Sequence, residues 1–95
     1  MRLHWSPSSL RDVVSLQTHI AQHDPQAAES QLRQVVMAAK GLVRFPEMGR
    51  PGRRPGTREL VVTRTPYLIA YRIRGDRIDI LRVLHGRQLW PDALK

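Results

Sequence analysis

The sequence predicts a single α+β domain in which an antiparallel pair of helices packs on one face of a small, mainly antiparallel sheet. A chain of 95 residues has room for one hydrophobic core and not for two. Two successive segments in the first half carry apolar residues at helical spacing, and after residue 57 apolar and polar residues alternate with period two. The resulting order, β-α-α-β-β-β, separates the helices from a run of strands, which is typical of α+β folds.

The first element is a short strand, because residues 1–5 alternate and bring Leu3 and Trp5 to one side. Ser6 then has the side chain of a helix N-cap, and Pro7 suits the first helical position. The helix is predicted to run to about residue 22. The residues at three and four spacing that should form its inner face are Leu10, Val13, Val14, Gln17, Ile20 and Ala21.

The second helix begins with the same signal, since Asp24 can cap it and Pro25 can open it. It should end near residues 42–44, because Phe45-Pro46 cannot continue a helix. Its predicted inner face consists of Ala28, Leu32, Val35, Val36, Ala39, Leu42 and Val43. Only a few residues separate the two helices, which predicts an antiparallel hairpin.

Residues 46–57 are rich in proline and glycine and are therefore predicted to form a loop. The loop carries Arg50, Arg53 and Arg54. It is either a solvated connector or a basic flap that closes on a phosphate backbone.

Three strands are predicted after the loop, over residues 58–64, 67–73 and 77–84, with a turn at Gly75 between the last two. In the final strand, simple alternation places Ile80 and Arg82 on one face and Val83 on the other. The last two strands are largely apolar on both faces, as expected of strands at the centre of a sheet.

The composition excludes several classes of protein. The chain has no cysteine, so no disulfide framework supports it, which favours a reducing cytoplasm. Its longest apolar runs are about five residues, far short of the roughly 20 that span a bilayer, and its first residues lack the apolar stretch of a signal peptide. No His, Asp or Glu spacing resembles a metal site. We therefore expect a cytoplasmic protein without cofactor, metal or membrane partner.

The charge is unevenly distributed along the chain. Sixteen Lys and Arg residues, fourteen of them Arg, face eight Asp and Glu residues, which gives a net charge of +8. Residues 1–47 contribute +1 of this charge and residues 48–95 contribute +7. The partner of the second half should therefore be anionic, and the preference for arginine favours forked contacts to phosphate or carboxylate groups.

Several segments, taken together, resemble RelE/ParE-type toxins of bacterial type II toxin–antitoxin systems. They are residues 45–51 (FPEMGRP), 58–60 (REL), 67–73 (YLIAYRI), 80–87 (ILRVLHGR) and 90–91 (WP). The resemblance covers nearly the whole chain, as one toxin domain of residues 1–95. It implies a growth-inhibiting toxin of the bacterial cytoplasm that is neutralised by a cognate antitoxin with an acidic segment.

The family has two main activities, and the sequence leaves the choice between them open. One branch cuts mRNA on the ribosome as a metal-independent endoribonuclease, and the other inhibits DNA gyrase without catalysis. Some RNA-cutting relatives place a catalytic histidine at the position of His85, with arginines such as Arg82 and Arg87 as companions. Such a histidine can transfer a proton near neutral pH, whereas arginine can stabilise the anionic transition state. His85 could equally be a structural residue at a strand end.

A further set of residues could bind the target or its phosphates: Arg50, Arg53, Arg54, Arg58, Arg72 and Trp90. The alternative for the arginines is ion pairing, with Asp79 or Asp92 as partners for those of the strands. We expect them to converge around the end of the final strand in one cationic surface. Leu68 occupies a position where many RNA-cutting relatives have arginine, which favours the gyrase branch. Charge alone also allows a third reading, a basic nucleic-acid-binding domain without toxicity.

Overall fold

Residues 1–86 are described in the computed structural model of the chain, and they contain two helices and five strands in the predicted order with one addition. The elements are β1 (Arg2–Trp5), α1 (Pro7–Ala21), α2 (Pro25–Arg44), β2 (Arg50–Pro51), β3 (Arg58–Val61), β4 (Tyr67–Arg74) and β5 (Arg77–His85). The addition is β2, which the sequence placed within a loop. Its two residues pair antiparallel with Arg58 and Glu59 of β3.

The strands form one sheet in the order β1-β5-β4-β3-β2. Only β1 and β5 are parallel, and the other neighbours are antiparallel. The predicted α+β class and the central position of the last two strands are therefore confirmed. β3 ends at Val61, earlier than predicted, because the chain turns at Arg64, whose φ of 66° lies in the left-handed region.

Both helices begin at the predicted caps. The hydroxyl of Ser6 accepts a hydrogen bond from the amide of Ser9 at 3.0 Å, and a carboxylate oxygen of Asp24 accepts from the amides of Gln26 and Ala27, each at 3.1 Å. Each cap is followed by a proline, whose missing amide hydrogen costs nothing in the first turn. None of the described helices is long and apolar enough to cross a bilayer.

The hydrophobic core lies between the helical hairpin and one face of the sheet. Its buried members are Leu16, Val35, Ala39, Leu42, Val62, Ile69, Tyr71, Ile78, Ile80 and Val83. The prediction for α2 is confirmed at its four fully buried positions. For α1 the predicted face is rotated, because Val13, Leu16 and Ile20 face the core whereas Leu10 and Val14 are more than half exposed.

β5 contains an irregularity that simple alternation does not predict. Ala70 of β4 is opposite Arg82, but the next residue, Tyr71, is opposite Ile80, so Leu81 has no direct partner. Such a bulge reverses which side chains face the core beyond that point. Val83 consequently joins Ile80 in the core, and the predicted placement of these two residues on opposite faces is wrong.

Candidate functional site

His85 is the last residue of β5 and lies beside α1 at the edge of the core. Its imidazole is exposed and contacts the ring of Tyr67, its partner across the strands, with centroids 5.7 Å apart. These two rings help to line an open cleft of about 390 Å³. The other residues of the cleft are Asp12, Ser15, Leu16, His19 and Val83. Histidine 85 is therefore accessible to a partner or substrate.

Arg82, a predicted companion of His85, is held by a carboxylate of α1. Its Nε and Nη2 donate to the two oxygens of Asp12 at 2.6 and 2.8 Å, and the amide of Val83 donates to the same carboxylate at 2.9 Å. The two side chains are only 20% and 15% exposed. The hydrogen bond to Asp12 raises the pKa of Arg82, so the guanidinium stays charged while its charge is balanced.

Asp12 is the residue of this site that sequence reasoning missed. The proposed partners of the strand arginines were Asp79 and Asp92, whereas the carboxylate that binds Arg82 comes from a helix 70 positions earlier. The pairing of β1 with β5 ends at Ile80. Asp12 accepts a hydrogen bond from the amide of Val83, which lies beyond that point. Its position, six residues after the Ser6 cap and next to the core residue Val13, was the available signal.

The loop arginines lie at the other edge of the sheet and surround a buried carboxylate. Glu59 of β3 is 3% exposed. The Nη2 of Arg50 donates to it at 3.3 Å, and the backbone amide of Arg53 donates at 2.9 Å. The carbonyl of Arg54 accepts a hydrogen bond from the hydroxyl of Thr57, which tightens the same turn. This arrangement orders the loop against β3.

Arg58 also has a local role. Its Nη1 donates to the carbonyl oxygen of Gly49 at 2.7 Å. The amide of Gly49 in turn donates to the hydroxyl of Tyr71 at 2.9 Å, so one short segment connects the loop to the core. Tyr71 itself is completely buried in the core.

Arg72 lies near the turn between β4 and β5, directly opposite Asp79. Arg87 and Trp90, the remaining predicted site residues, lie outside the described residues. The predicted site arginines within residues 1–86 thus lie in three places, at His85, at the β2–β3 edge and at the β4–β5 turn, and the expectation of one cationic surface around the end of the final strand is wrong. The cause is that each group is organised by its own carboxylate.

The candidate site at His85 therefore consists of an accessible imidazole, a phenol and an ion-paired arginine. Burial raises the pKa of Tyr67, so its phenol is protonated at neutral pH. Within residues 1–86, no three His, Cys, Asp or Glu side chains are grouped so that they could hold a metal ion. The exposed side chain of His19 shares the cleft with His85, and its ring contacts the ring of His23 edge to face, with centroids 5.8 Å apart.

Comparison with known proteins adds a consistent result. Residues 3–90 match the family model described as ParE toxin of type II toxin-antitoxin system, parDE. The chain is 40% identical over 93 residues to the Putative toxin Y4kP of Sinorhizobium fredii, covering 98% of this chain and 96% of that protein.

Two solved structures have the same fold. A chain of the chromosomal ParDE TA system from P. aeruginosa superposes with a TM-score of 0.80 at 30% identity, covering 87% of this chain and 92% of that one. A chain of the toxin-antitoxin complex RelBE2 from Mycobacterium tuberculosis superposes with a TM-score of 0.63 at 30% identity, covering 88% and 95%.

Proposed function

Because the chain belongs to the ParE toxin family of type II toxin–antitoxin systems, we propose that it arrests growth as a non-catalytic inhibitor of DNA gyrase in the cytoplasm. It is the toxin component of such a system. The single observation that carries the choice of target is the state of Arg82.

Cleavage of RNA without a metal requires a cation that can bind the developing negative charge of the transition state. Arg82 is the arginine within residues 1–86 that is predicted for that role. Two of its nitrogens already donate hydrogen bonds to Asp12, whose carboxylate balances its charge. Moving this guanidinium to a phosphate would leave Asp12 without its partner in a partly buried site. A binding function makes no such demand, because the surrounding surface can contact a protein while the pair of Arg82 and Asp12 stays intact.

A supercoiling assay with purified DNA gyrase tests this proposal. The toxin should inhibit supercoiling increasingly as its concentration is raised. Because the proposed function involves no proton transfer, His85→Ala should inhibit within about threefold of the unchanged protein. Full gyrase activity in the presence of excess toxin would contradict the proposal, and so would a complete dependence of inhibition on the imidazole.

The second candidate function is ribosome-dependent mRNA cleavage, and the observation that favours it is the accessible cleft shared by His85, His19 and Tyr67. Primer-extension mapping after induction would then detect new cuts inside codons. Loss of a general acid or base typically reduces the rate about 10²- to 10⁴-fold, so His85→Ala should abolish the cuts. His23→Ala is the matched control, since that imidazole lies outside the cleft lining. An mRNA pattern without new cuts removes this candidate.

An antitoxin partner follows from the family and from the structural neighbours, both of which are toxin–antitoxin systems. We propose that it covers the Met48 surface, defined here as Met37, Phe45, Met48 and Val61. Each of these side chains is more than half exposed, and Met48 joins two apolar clefts of about 680 and 280 Å³. A monomeric protein rarely leaves such a continuous apolar patch uncovered. The acidic segment of the antitoxin would add contacts to the neighbouring arginines.

Met48→Glu should weaken antitoxin binding at least tenfold, because a carboxylate would have to be buried in the apolar interface. Titration calorimetry with the purified antitoxin measures the effect. Val14→Glu is the matched control, because Val14 is 62% exposed on α1 and does not belong to the Met48 surface. Equal weakening by both changes would contradict the proposed surface.

A further inference from the structure

The turn end of β4 and β5 carries a second group of basic side chains, on the face of the sheet that points away from the helices. Ile73 and Ile78 pack against the core, so their neighbours in each strand point to the opposite face. The strand register places these neighbours in two rows across β1, β5 and β4. The first row is His4, Asp79 and Arg72, and the second row is Arg2, Arg77 and Arg74.

The second row brings like charges directly opposite one another. Arg77 faces Arg74 on one side and Arg2 on the other. Like charges at cross-strand positions destabilise a sheet. The carboxylates near this group are Asp79 and Asp76, so the four guanidinium groups leave a formal charge of +2 with histidine neutral. The fold therefore maintains an excess of positive charge here that its own carboxylates do not balance.

Asp79 fixes the position of two of the arginines. Its side chain is 11% exposed, and its oxygens lie 2.8 Å from the Nε of Arg77 and 3.8 Å from the Nε of Arg74. Arg72 is adjacent in the first row and forms no ion pair with any residue of the range 1–86. Asp79 thus orients the guanidinium groups of Arg77 and Arg74, and the guanidinium group of Arg72 is available to bind a ligand.

These side chains line a cleft of about 320 Å³. The lining residues are His4, Ser6, Pro7, Arg72, Arg74, Arg77, Asp79 and Leu81. Ser6 and Pro7 form the N-terminus of α1, where the helix dipole adds positive potential. The cleft therefore combines enclosure, oriented donors and an unbalanced positive charge.

We propose that this cleft, which we call the turn cleft, is a binding site for a phosphate group. Guanidinium groups form paired hydrogen bonds to phosphate oxygens, and a phosphate carries a charge comparable to the excess at this site. The turn cleft is separate from the site at His85, because its central residue Asp79 is six positions before His85 in β5, about 20 Å at roughly 3.3 Å per residue. The phosphate comes either from a nucleic-acid backbone or from a free phosphorylated small molecule.

Thermal unfolding of the full chain with inorganic phosphate tests the shared chemistry. Phosphate should raise the melting temperature of the unchanged protein, and the increase should be lost in Arg72→Gln/Arg74→Gln. Arg72→Gln alone leaves both ion pairs of Asp79 in place, and it should reduce the increase while the fold is kept. The matched control is Arg11→Gln/Arg33→Gln, which removes the same charge from exposed helix positions and should retain the full increase.

Binding of a short labelled DNA duplex distinguishes the two sources. If the backbone is the source, the double variant should bind at least tenfold more weakly and lower the salt slope of binding by about 2, whereas the control should not. If the source is a free phosphate, DNA affinity should change equally in both variants while only the turn-cleft variant loses the phosphate response. An equal response to inorganic phosphate in all proteins, or none in the unchanged protein, overturns the proposal. These readouts do not involve gyrase, so they are independent of the proposed target.

Discussion

Asp12→Ala should lower the free energy of unfolding by about 3 kcal/mol, because it leaves three donors of a partly buried site without their acceptor. The carboxylate of Asp12 accepts two hydrogen bonds from Arg82 and one from the amide of Val83. The remaining guanidinium would be a charge in a site where its side chain is only 20% exposed. Urea unfolding followed by circular dichroism measures the loss.

Two further variants make the result specific to this ion pair. Asp12→Asn keeps one carbonyl oxygen as an acceptor, so its effect should be intermediate. Asp76→Ala breaks the pair with Arg2, whose atoms are 3.5 Å apart and whose side chains are 74% and 80% exposed, so its effect should be close to zero. A urea unfolding curve of Asp12→Ala that coincides with that of Asp76→Ala would contradict the role assigned to Asp12.

The main elements of the fold could be predicted because each depends on signals a few residues apart. Ser6 and Asp24, each followed by proline, fix the starts of both helices by bonding to amides within three positions. Gly75 takes a φ of 56°, which the turn between the last two strands requires. Such local chemistry can be interpreted without knowing what the rest of the chain does.

The strand β2 and the bulge in β5 could not be predicted in the same way. The pairing of Arg50 with Glu59 depends on a buried carboxylate whose environment is created by the fold. The unpaired Leu81 is as apolar as its neighbours, so hydropathy carries no sign that the alternation is interrupted there. The consequence is large, since everything after Leu81 changes face.

The candidate site shows the same division between local and distant information. His85 could be singled out from its own chemistry and from its place at the end of a strand. The state of Arg82 could not, because it is decided by Asp12, and nothing within a few residues of Arg82 indicates that contact. The same holds for the turn cleft, in which β1 and the β4–β5 hairpin meet only after the sheet has formed. For this chain, the sequence alone singles out the arginines, whereas only the tertiary structure shows which of them are ion-paired and which can bind a partner.

Tyr71 connects the core to the segment before β2, and its hydroxyl is the point of contact. The hydroxyl donates to the carbonyl of Pro46 at 2.7 Å and accepts from the amide of Gly49 at 2.9 Å. A Cβ at position 49 would lie 2.7 Å from the ring, so only glycine allows this approach. The phenol thus holds the chain where it leaves α2 and approaches the sheet.

Tyr71→Phe should therefore lower the free energy of unfolding by about 2–3 kcal/mol, because it retains the ring and leaves the two backbone groups unsatisfied. Chemical denaturation at neutral pH measures the difference. Tyr67→Phe is the matched control, since the hydroxyl of Tyr67 has no hydrogen bond within residues 1–86, and its cost should be well below 1 kcal/mol. Equal losses in the two variants would mean that the contacts of Tyr71 contribute little.

The stability of the protein at alkaline pH also tests the contacts of the Tyr71 hydroxyl, because the phenol loses its proton there. Burial raises the pKa of Tyr71 above its ordinary value of about 10, so the folded state favours the neutral phenol. Its contribution to stability is complete below the unfolded-state pKa and is lost as pH rises through the raised folded-state pKa. Above pH about 10, the unchanged protein should therefore lose stability more steeply than Tyr71→Phe. Parallel pH profiles for Tyr71→Phe and the unchanged protein would contradict this account, because the ionising hydroxyl would then have no special cost inside the fold.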